Sequence, residues 1–592
     1  MQFMNYTLKD GLVVISCLLF FGCGMNKPPL VQAQDAPTEK SPPKKIPIVQ
    51  KLRQNDHLPV EERIKLYHQL KKEAPQLYSF EDETELTMYG YSILWANKTT
   101  EAIEVFKLIA TEFPNSSNAY DNLGEGYLKN GNKELALLNY ERSLAMDPEN
   151  FNAEDQVANI RFPDRVPLQP AELFKKVYPA TAYRDDLDQL GTTLLKVHPN
   201  ALKFITREAF WKSIEDKKRQ ITDRTTYGAF AWYCSEIIAN VHCSHTNMGS
   251  FDYEAAMLPE SARFPLQTRW ISNQLFVIDP LSNNKTVKIK DEVVSINGKA
   301  VAEIIKECYK HIPAQGYIET TKNHFFNTWS TAMIPFALGF PDRYEIIIKG
   351  TNAPIILNAS ANIEEPYFDR TLDLSGNNLS LSFIEGNTIA FLKVASFNYY
   401  RWADFEVFKA FIDSSFSEIR KKDVKNLVID LRQNRGGSQS SSIHLLQYLV
   451  NQPFTYYSNA QFEGKRDKIE GEDIVYPFTN RFDGKTCFII DGVGNSTTGH
   501  FMSIARYLKL GTIVGEELGS NQFCSAGMTT RRLANTKLVY YVANNTHESL
   551  AVDLPDETGI LPDYTVTQGI DDFLIKRDAV KAFAIQLAKQ NK

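Results

Sequence analysis

The hydrophobic rhythm of the chain changes four times. A short polar head containing Lys9 leads into an apolar run from Gly11 to Phe21. That run is too short for a comfortable membrane span and suits the core of a signal peptide. A proline-rich, aromatic-poor stretch follows, "GMNKPPLVQAQDAPTEKSPPKKIP"; it cannot bury enough surface to fold and predicts a flexible tether. Helical spacing then takes over, from "VEERIKLYHQLKKEA" through "AFWKSIEDKKRQI" and "YGAFAWYCSEIIANV". Between about 262 and 365 short alternating segments such as "LFVID", "VVSING" and "YEIIIKG" predict a small β-rich subdomain. From 378 onward strands alternate with helices: "NTIAFLKVASF", "FEVFKAFIDSSFSEIRKK", "NLVIDL", "SSIHLLQYLV", "CFIID", the helix opening at Ser496, "GTIVG", the hairpin "TTRRLANTKLVYYVA" and a final helix "DAVKAFAIQLAKQ". That order predicts an α/β layered core.

Within the helical region the chain repeats itself every 34 residues. Gly90 pairs with Gly124, Leu94 with Leu128, Ala102 with Ala136, Phe106 with Tyr140 and Pro114 with Pro148. Each copy reads as two short amphipathic helices, with small residues where helices must approach closely and a proline closing the second. The spacing resembles tetratricopeptide repeats, which implies either a groove for a protein partner or a packing spacer. At the N-terminus the apolar run ends in Gly22-Cys23, a small residue before a cysteine. This resembles a bacterial lipoprotein signal, with Cys23 as the lipidated first residue of the mature chain. The expectation is a periplasm-facing lipoprotein of the bacterial cell envelope, held to a membrane by its lipid anchor; the residues after Cys23 carry no acidic run that argues for surface export.

Composition narrows the chemistry. With 592 residues the chain exceeds one core. Net charge is −6 without a long basic block, which argues against nucleic acid as a partner. There is no HExxH, no CxxC pair and no GxxxxGK[ST], so neither a metal nor a nucleotide cofactor is expected. Cys234, Cys243, Cys308, Cys487 and Cys524 are odd in number and widely spread, and form no disulfide framework.

Four segments carry candidate chemistry: "NVHCSHTNMG", "KDEVVSINGKAV", "LVIDLRQNRGG", and "GNSTTGHF" with "GEE" some twenty residues on. In this order they resemble the C-terminal-processing, or tail-specific, serine peptidases, over roughly residues 170 to 592. The resemblance implies a layered core of the crotonase/ClpP-like type, a PDZ-like subdomain around "DEVVSINGKAV", and Ser496 as nucleophile. The branch of this family that uses a lysine base is excluded, because Asn521 stands at the lysine position. The branch with a tricorn-like core uses a histidine that follows a serine, and "Ser244-His245" has that arrangement. His245 would then take the Ser496 proton and return it to the leaving amine. Ser244 is a candidate to orient the imidazole, and an acidic partner is expected at Asp556 or Glu557. Thr497 at the helix start and either Gly436 or Gly437 would donate amides to the oxyanion. Two departures stand out: Thr497 replaces the usual alanine after the serine, and Gly499 replaces an acidic residue.

Each piece also has a plainer explanation. Ser496 fits an N-cap, His245 a packed histidine, and Asp430-Leu-Arg432 a structural turn; His242 and Cys243 could mimic a Cys/His pair. The expected organisation is a signal peptide at 1–22, a tether at 23–50, tetratricopeptide-like helices at 51–160, a helical segment carrying the base at 165–255, a PDZ-like subdomain at 260–365 and the catalytic core at 366–592. The expected function is an exported serine endopeptidase acting on unstructured polypeptide segments or C-termini. The alternatives are a catalytically inactive peptide-binding scaffold of the same fold and a hydrolase of a non-peptide ester or amide.

Overall fold

The computed structural model describes residues 45–590 except 165, 167, 249–257, 369–377, 401 and 459–473. Cys23 and the expected signal peptide lie outside the described residues. No helix among the described residues is long and apolar enough to cross a membrane. The chain divides near residue 168 into two compact units, each with its own core.

The first unit is helical. After Ile48–Arg53 and Val60–Glu73 come two helical hairpins, Glu83–Trp95 with Thr99–Glu112 and Ser117–Lys129 with Lys133–Met146, and then Phe151–Arg161. Ile48 and Val49 are buried, so ordered structure begins inside the stretch expected to be tether. Asp82, Ser116, Asn132 and Asn150 cap four of these helices through their side chains, while Thr99–Glu112 has no side-chain cap. The two hairpins share one internal contact. A Cβ on Gly90 would lie 2.5 Å from the Phe106 ring, and one on Gly124 would lie 2.9 Å from Tyr140. Glycine is required at both positions because the helices cross at the aromatic ring.

The second unit joins three layers. Helices Ala180–Val197, Arg207–Gln220 and Tyr227–Ala239 pack against a sheet containing Gln267–Ile271, Gln274–Asp279, Glu292–Ile296, Tyr344–Ile348 and Ile355–Leu357, paired in that order. Between the third and fourth of these strands lie two helices, Val301–Tyr309 and Glu319–Leu338. The second helix corrects the β-rich reading of 260–365. Its threonines, asparagines and Pro335 disguise a helical period, and Phe326, Ala332, Met333, Ile334 and Phe336 are held helical by burial in the shared core.

The C-terminal core is a six-stranded sheet in the order Tyr564–Thr565, Thr512–Gly515, Lys485–Ile490, Asn426–Asp430, Ile389–Val394, Leu379–Ile384. All neighbours are parallel except the last pair. Near-continuous apolar strands such as Leu427–Ile429 and Phe488–Ile490 are buried from both faces, as a parallel sheet requires. Arg432 clamps this core shut. It makes paired bonds to Asp430 (2.9 and 2.7 Å) and to Asp578 (2.8 and 2.7 Å), tying the end of a central strand to the C-terminal helix. A long hairpin, Phe523–Arg532 with Val539–Glu548, leaves the core and buries Leu533, Leu538, Tyr540 and Val542 among the helices that begin at residue 180.

Candidate active site

Ser496 sits between the strand Lys485–Ile490 and the helix Thr497–Tyr507, at the carboxyl end of the parallel strands, where open α/β sheets place their ligands. Its backbone has φ +54° and ψ −124°, a region an L-residue rarely adopts. Its side chain makes no capping bond to the helix, so an N-cap role does not account for the serine. The turn is held instead by Asn495, whose Oδ1 accepts from Ser496 N at 2.8 Å. The hydroxyl is left lying against Cys524 Sγ.

The glycine loop is fastened to this turn by Asn434, which is fully buried. Asn434 Nδ2 donates to Val394 O (2.9 Å), its Oδ1 accepts from Gly436 N (2.9 Å) and from the Thr498 hydroxyl (2.8 Å), and its carbonyl accepts from Asn495 N (3.2 Å). Gly436 therefore cannot serve as the expected oxyanion donor, since its amide hydrogen is committed to Asn434. What Gly436 supplies is close approach: a Cβ there would lie 2.7 Å from Ser496 Cβ and 2.9 Å from Thr497 N. The amides of Gly437 and Thr497 have no acceptor among the described residues, and the Thr497 hydroxyl binds Gly437 O, joining the two segments. Gly499 is also explained. A Cβ at that position would lie 2.4 Å from Ser520 Oγ and 2.5 Å from Asn521 O, so no acidic side chain fits. Asn521, at the position of the absent lysine, spends its amide on the carbonyls of Asp556 (2.9 Å) and Thr558 (2.7 Å).

His245 reaches the site from a different direction. It lies on a loop after the helix Tyr227–Ala239, and this loop is stitched to the long hairpin as a short extra strand. Asn247 N donates to Tyr541 O (3.1 Å), Tyr541 N to Asn247 O (2.7 Å), and Ala543 N to Thr246 Oγ1 (3.0 Å). His245 Nδ1 is 3.4 Å from Ser244 Oγ and 3.8 Å from Cys524 Sγ. The Ser244 hydroxyl donates to Asn495 Oδ1 at 3.0 Å, so toward His245 it can only accept. This places the ring proton on Nδ1 and the lone pair on Nε2. Ser496 and His245 share Cys524 as a neighbour and do not hydrogen-bond to each other.

The expected acidic partner is not supplied by either candidate. Asp556 is ion-paired with Lys203 (2.6 Å) and accepts from Gln522 Nε2 (2.7 Å). Glu557 is exposed, and its carbonyl accepts from Tyr317 N. Neither carboxylate touches His245; the attractions to Lys203 and to solvent hold both away from the imidazole. Burial, together with nearby His547, pushes His245 down to about 4. Burial likewise pushes His198 to about 4 and His500 to about 3, so the pocket is surrounded by neutral imidazoles. The thiols of Cys243 and Cys524 are pushed up to about 11 and about 12 by burial, and His242 Nδ1 is bonded to Gly316 O. A Cys/His nucleophilic pair at 242–243 is thus excluded: its sulfur stays protonated.

Ser496, Thr497, Gly436 and Gly437 lie together, Ser244 and His245 reach them through Asn495 and Cys524, and Asp556 and Glu557 do not join them. Asn434, Asn495 and Cys524 were missed. The two asparagines stood inside quoted motifs, as polar residues beside turns; Cys524 carried no local signal.

A strained serine, a neutral imidazole and two open amides are the components of acyl transfer. Among solved structures the fold is similar to that of mature CPAF (13% identity over 69% of this chain and 97% of the other, TM-score 0.45). It is also similar to a putative peptidase from Parabacteroides merdae (14%, 69% and 96%, TM-score 0.38) and to the photosystem II D1 C-terminal processing protease (12%, 67% and 98%, TM-score 0.32). No curated protein sequence matches the chain. Residues 388–566, which hold the glycine loop, the Ser496 turn and the hairpin, match the model of peptidase family S41, and the match supports a serine-type peptidase.

Proposed function

We propose that the chain is an exported serine endopeptidase that cleaves unstructured polypeptide segments or C-termini. Ser496 is the nucleophile and His245 the general base, with Ser244 and Asn495 fixing the imidazole tautomer and the amides of Thr497 and Gly437 stabilising the oxyanion. The observation that carries the reading is the Ser496 backbone: a costly conformation on a residue whose hydroxyl caps nothing. Such a turn projects the hydroxyl off the sheet edge, as nucleophile elbows do. His245 and Ser496 close to hydrogen-bonding distance when substrate displaces the Cys524 contact, in keeping with the looser geometry of unliganded sites. The helical hairpins act as tetratricopeptide-like repeats for a protein partner, the β-rich subdomain as a PDZ-like module, and Cys23 as the lipid anchor on a periplasmic face.

One observation favours a second reading, a peptide-binding scaffold without activity: among the described residues no carboxylate reaches His245. Labelling of the purified protein with a fluorophosphonate probe separates the two. Labelling that Ser496→Ala and His245→Ala both abolish is the expected result. A folded parent that never labels would leave the scaffold standing.

A further inference from the structure

Away from this site, three side chains converge without hydrogen-bonding one another. Glu236 lies in the last turn of Tyr227–Ala239, Glu307 near the end of Val301–Tyr309, and His311 just beyond that helix. One ligand-capable atom from each falls within 4.8 Å of the others. His311 is almost wholly buried, its side chain 1% exposed, and its Nε2 is 3.6 Å from Glu236 Oε2 and 3.6 Å from Glu307 Oε1. His311 Nε2 is buried with no hydrogen-bond partner, and Glu236 Oε2 is buried against the Lys217 ammonium.

The other ring nitrogen is engaged. Nδ1 lies 3.0 Å from Trp232 O and 2.8 Å from Ser235 Oγ, and the Ser235 hydroxyl donates to the same Trp232 carbonyl at 2.8 Å. With that proton committed, Nδ1 carries the ring hydrogen and Nε2 points a lone pair at two carboxylates. The ring is stacked on Trp232, centroids 3.4 Å apart and planes 9° apart, which fixes its aim. A separation of 3.6 Å is too long for an N–H···O bond. It is close to the edge, about 3.4 Å, of a tetrahedron of ligands bound about 2.0–2.1 Å from a zinc-sized ion.

We propose that Glu236, Glu307 and His311 bind one divalent cation of the zinc or manganese kind. A neutral imidazole whose far N–H is held by a backbone carbonyl, joined by two carboxylates, is a donor set these ions accept. Lys217 is ion-paired with Glu236 and is the cation to be displaced; Lys310 sits 2.7 Å from the outer oxygen of Glu307 and can remain. The ion braces the base. It joins the helix that leads into the His245 loop to the turn after His311, and Gly316 on that turn already bonds His242 through Gly316 N to His242 O (3.1 Å) and His242 Nδ1 to Gly316 O (2.8 Å).

The test is calorimetric titration of the EDTA-stripped protein with Zn²⁺ and, separately, Mn²⁺, with Tm followed in parallel. One equivalent of at least one ion binds at micromolar Kd or tighter, and Tm rises by about 3 °C at a hundredfold excess over Kd. Glu307→Gln, at a partly exposed position that spares folding, weakens binding at least tenfold and removes the rise in Tm. Lys217→Met, lacking the competing ammonium, binds at least fivefold more tightly. No saturable binding by the folded parent overturns the proposal. Equal binding by Glu307→Gln also overturns it, placing the ion elsewhere, for instance among the histidines around His245. An unchanged Kd for Lys217→Met overturns the site as drawn, because the ion would not then enter beside Glu236.

Discussion

The serine and histidine sides of the active site are built in opposite ways. Ser496 is held by its own neighbourhood: Asn495 beside it in the chain, and Asn434 on the next parallel strand's loop. His245 is held by a graft, a loop that pairs, among the described residues, with a hairpin from the far end of the chain. That hairpin is anchored at its tip, well away from the chemistry. Asp186 accepts from Asn535 N (3.0 Å), Asn535 Nδ2 (2.9 Å), Thr536 N (2.8 Å) and the Thr536 hydroxyl (2.6 Å). A serine fixed by the sheet and a histidine fixed by subdomain packing can be perturbed separately. Cys524, on the same hairpin, touches both.

The largest expected effect falls on the serine side. Ser496→Ala abolishes probe labelling, with loss of peptide hydrolysis by at least about 10³-fold. Ser496→Gly is equally inactive yet more stable by about 1 kcal/mol, because glycine relieves the positive-φ turn; urea denaturation measures the difference. If Ser496→Gly is instead destabilised, the strain assigned to this turn is wrong.

Next in size are changes to the fastening of that turn. Asn434→Ala leaves the Gly436 amide without its buried acceptor, while the Thr498 hydroxyl keeps the Asn434 carbonyl at 2.9 Å, and costs about 2 kcal/mol by denaturant unfolding. Gly499→Asp, which restores the family's usual acid, costs a similar amount, about 2–3 kcal/mol, by driving Ser520 and Asn521 apart. A gain of activity in Gly499→Asp would show that the helix can shift to admit a side chain.

The histidine side gives a more selective loss. Asp186→Ala frees the hairpin tip and lowers kcat at least about tenfold through the base, since small misplacement of a catalytic group is expensive in rate. The Ser496 backbone is unaffected, so a crystal structure of this variant retains its positive φ. An equal collapse of both sides would mean that the two are not independent.

The smallest effect is on pH dependence. His245 must be neutral to act as base, and its depressed value keeps it neutral down to about pH 4; kcat/KM therefore stays level from neutral pH and falls as pH drops through about 4. His547→Gln removes a neighbour that disfavours the imidazolium, so the acid limb moves to higher pH, by less than the burial contribution. Stability follows the same sign. His198, His245 and His500 titrate lower in the folded chain than in the unfolded one, so the unfolded state gains protons first. Tm therefore declines between about pH 6.5 and pH 4. Stopped assays at each pH, beside thermal melts, separate lost base from lost fold.

Much of this was legible because it is local. A buried strand ending in "QNRGG", and a second strand running into "GNSTTGH" and a helix, declare where a parallel sheet presents a loop and a helix start. The repeat declared its hairpins because Gly90 faces the Phe106 ring in one copy as Gly124 faces Tyr140 in the other. The failures have the opposite character. Glu319–Leu338 was concealed by a polar, proline-containing sequence that only burial keeps helical. Gly436 and Gly437 are neighbours of one type, and only the reach of Asn434 decides which amide stays open.

The sequence by itself determined the α/β core and the turn that carries Ser496, since each depends on residues within one strand or turn. Tertiary structure decided what surrounds the imidazole. Whether Asp556 reaches His245 or Lys203, and whether a cysteine from the hairpin lies against Ser496, depends on how three layers dock. Docking is settled by shape and burial summed over many distant side chains, which no short motif encodes.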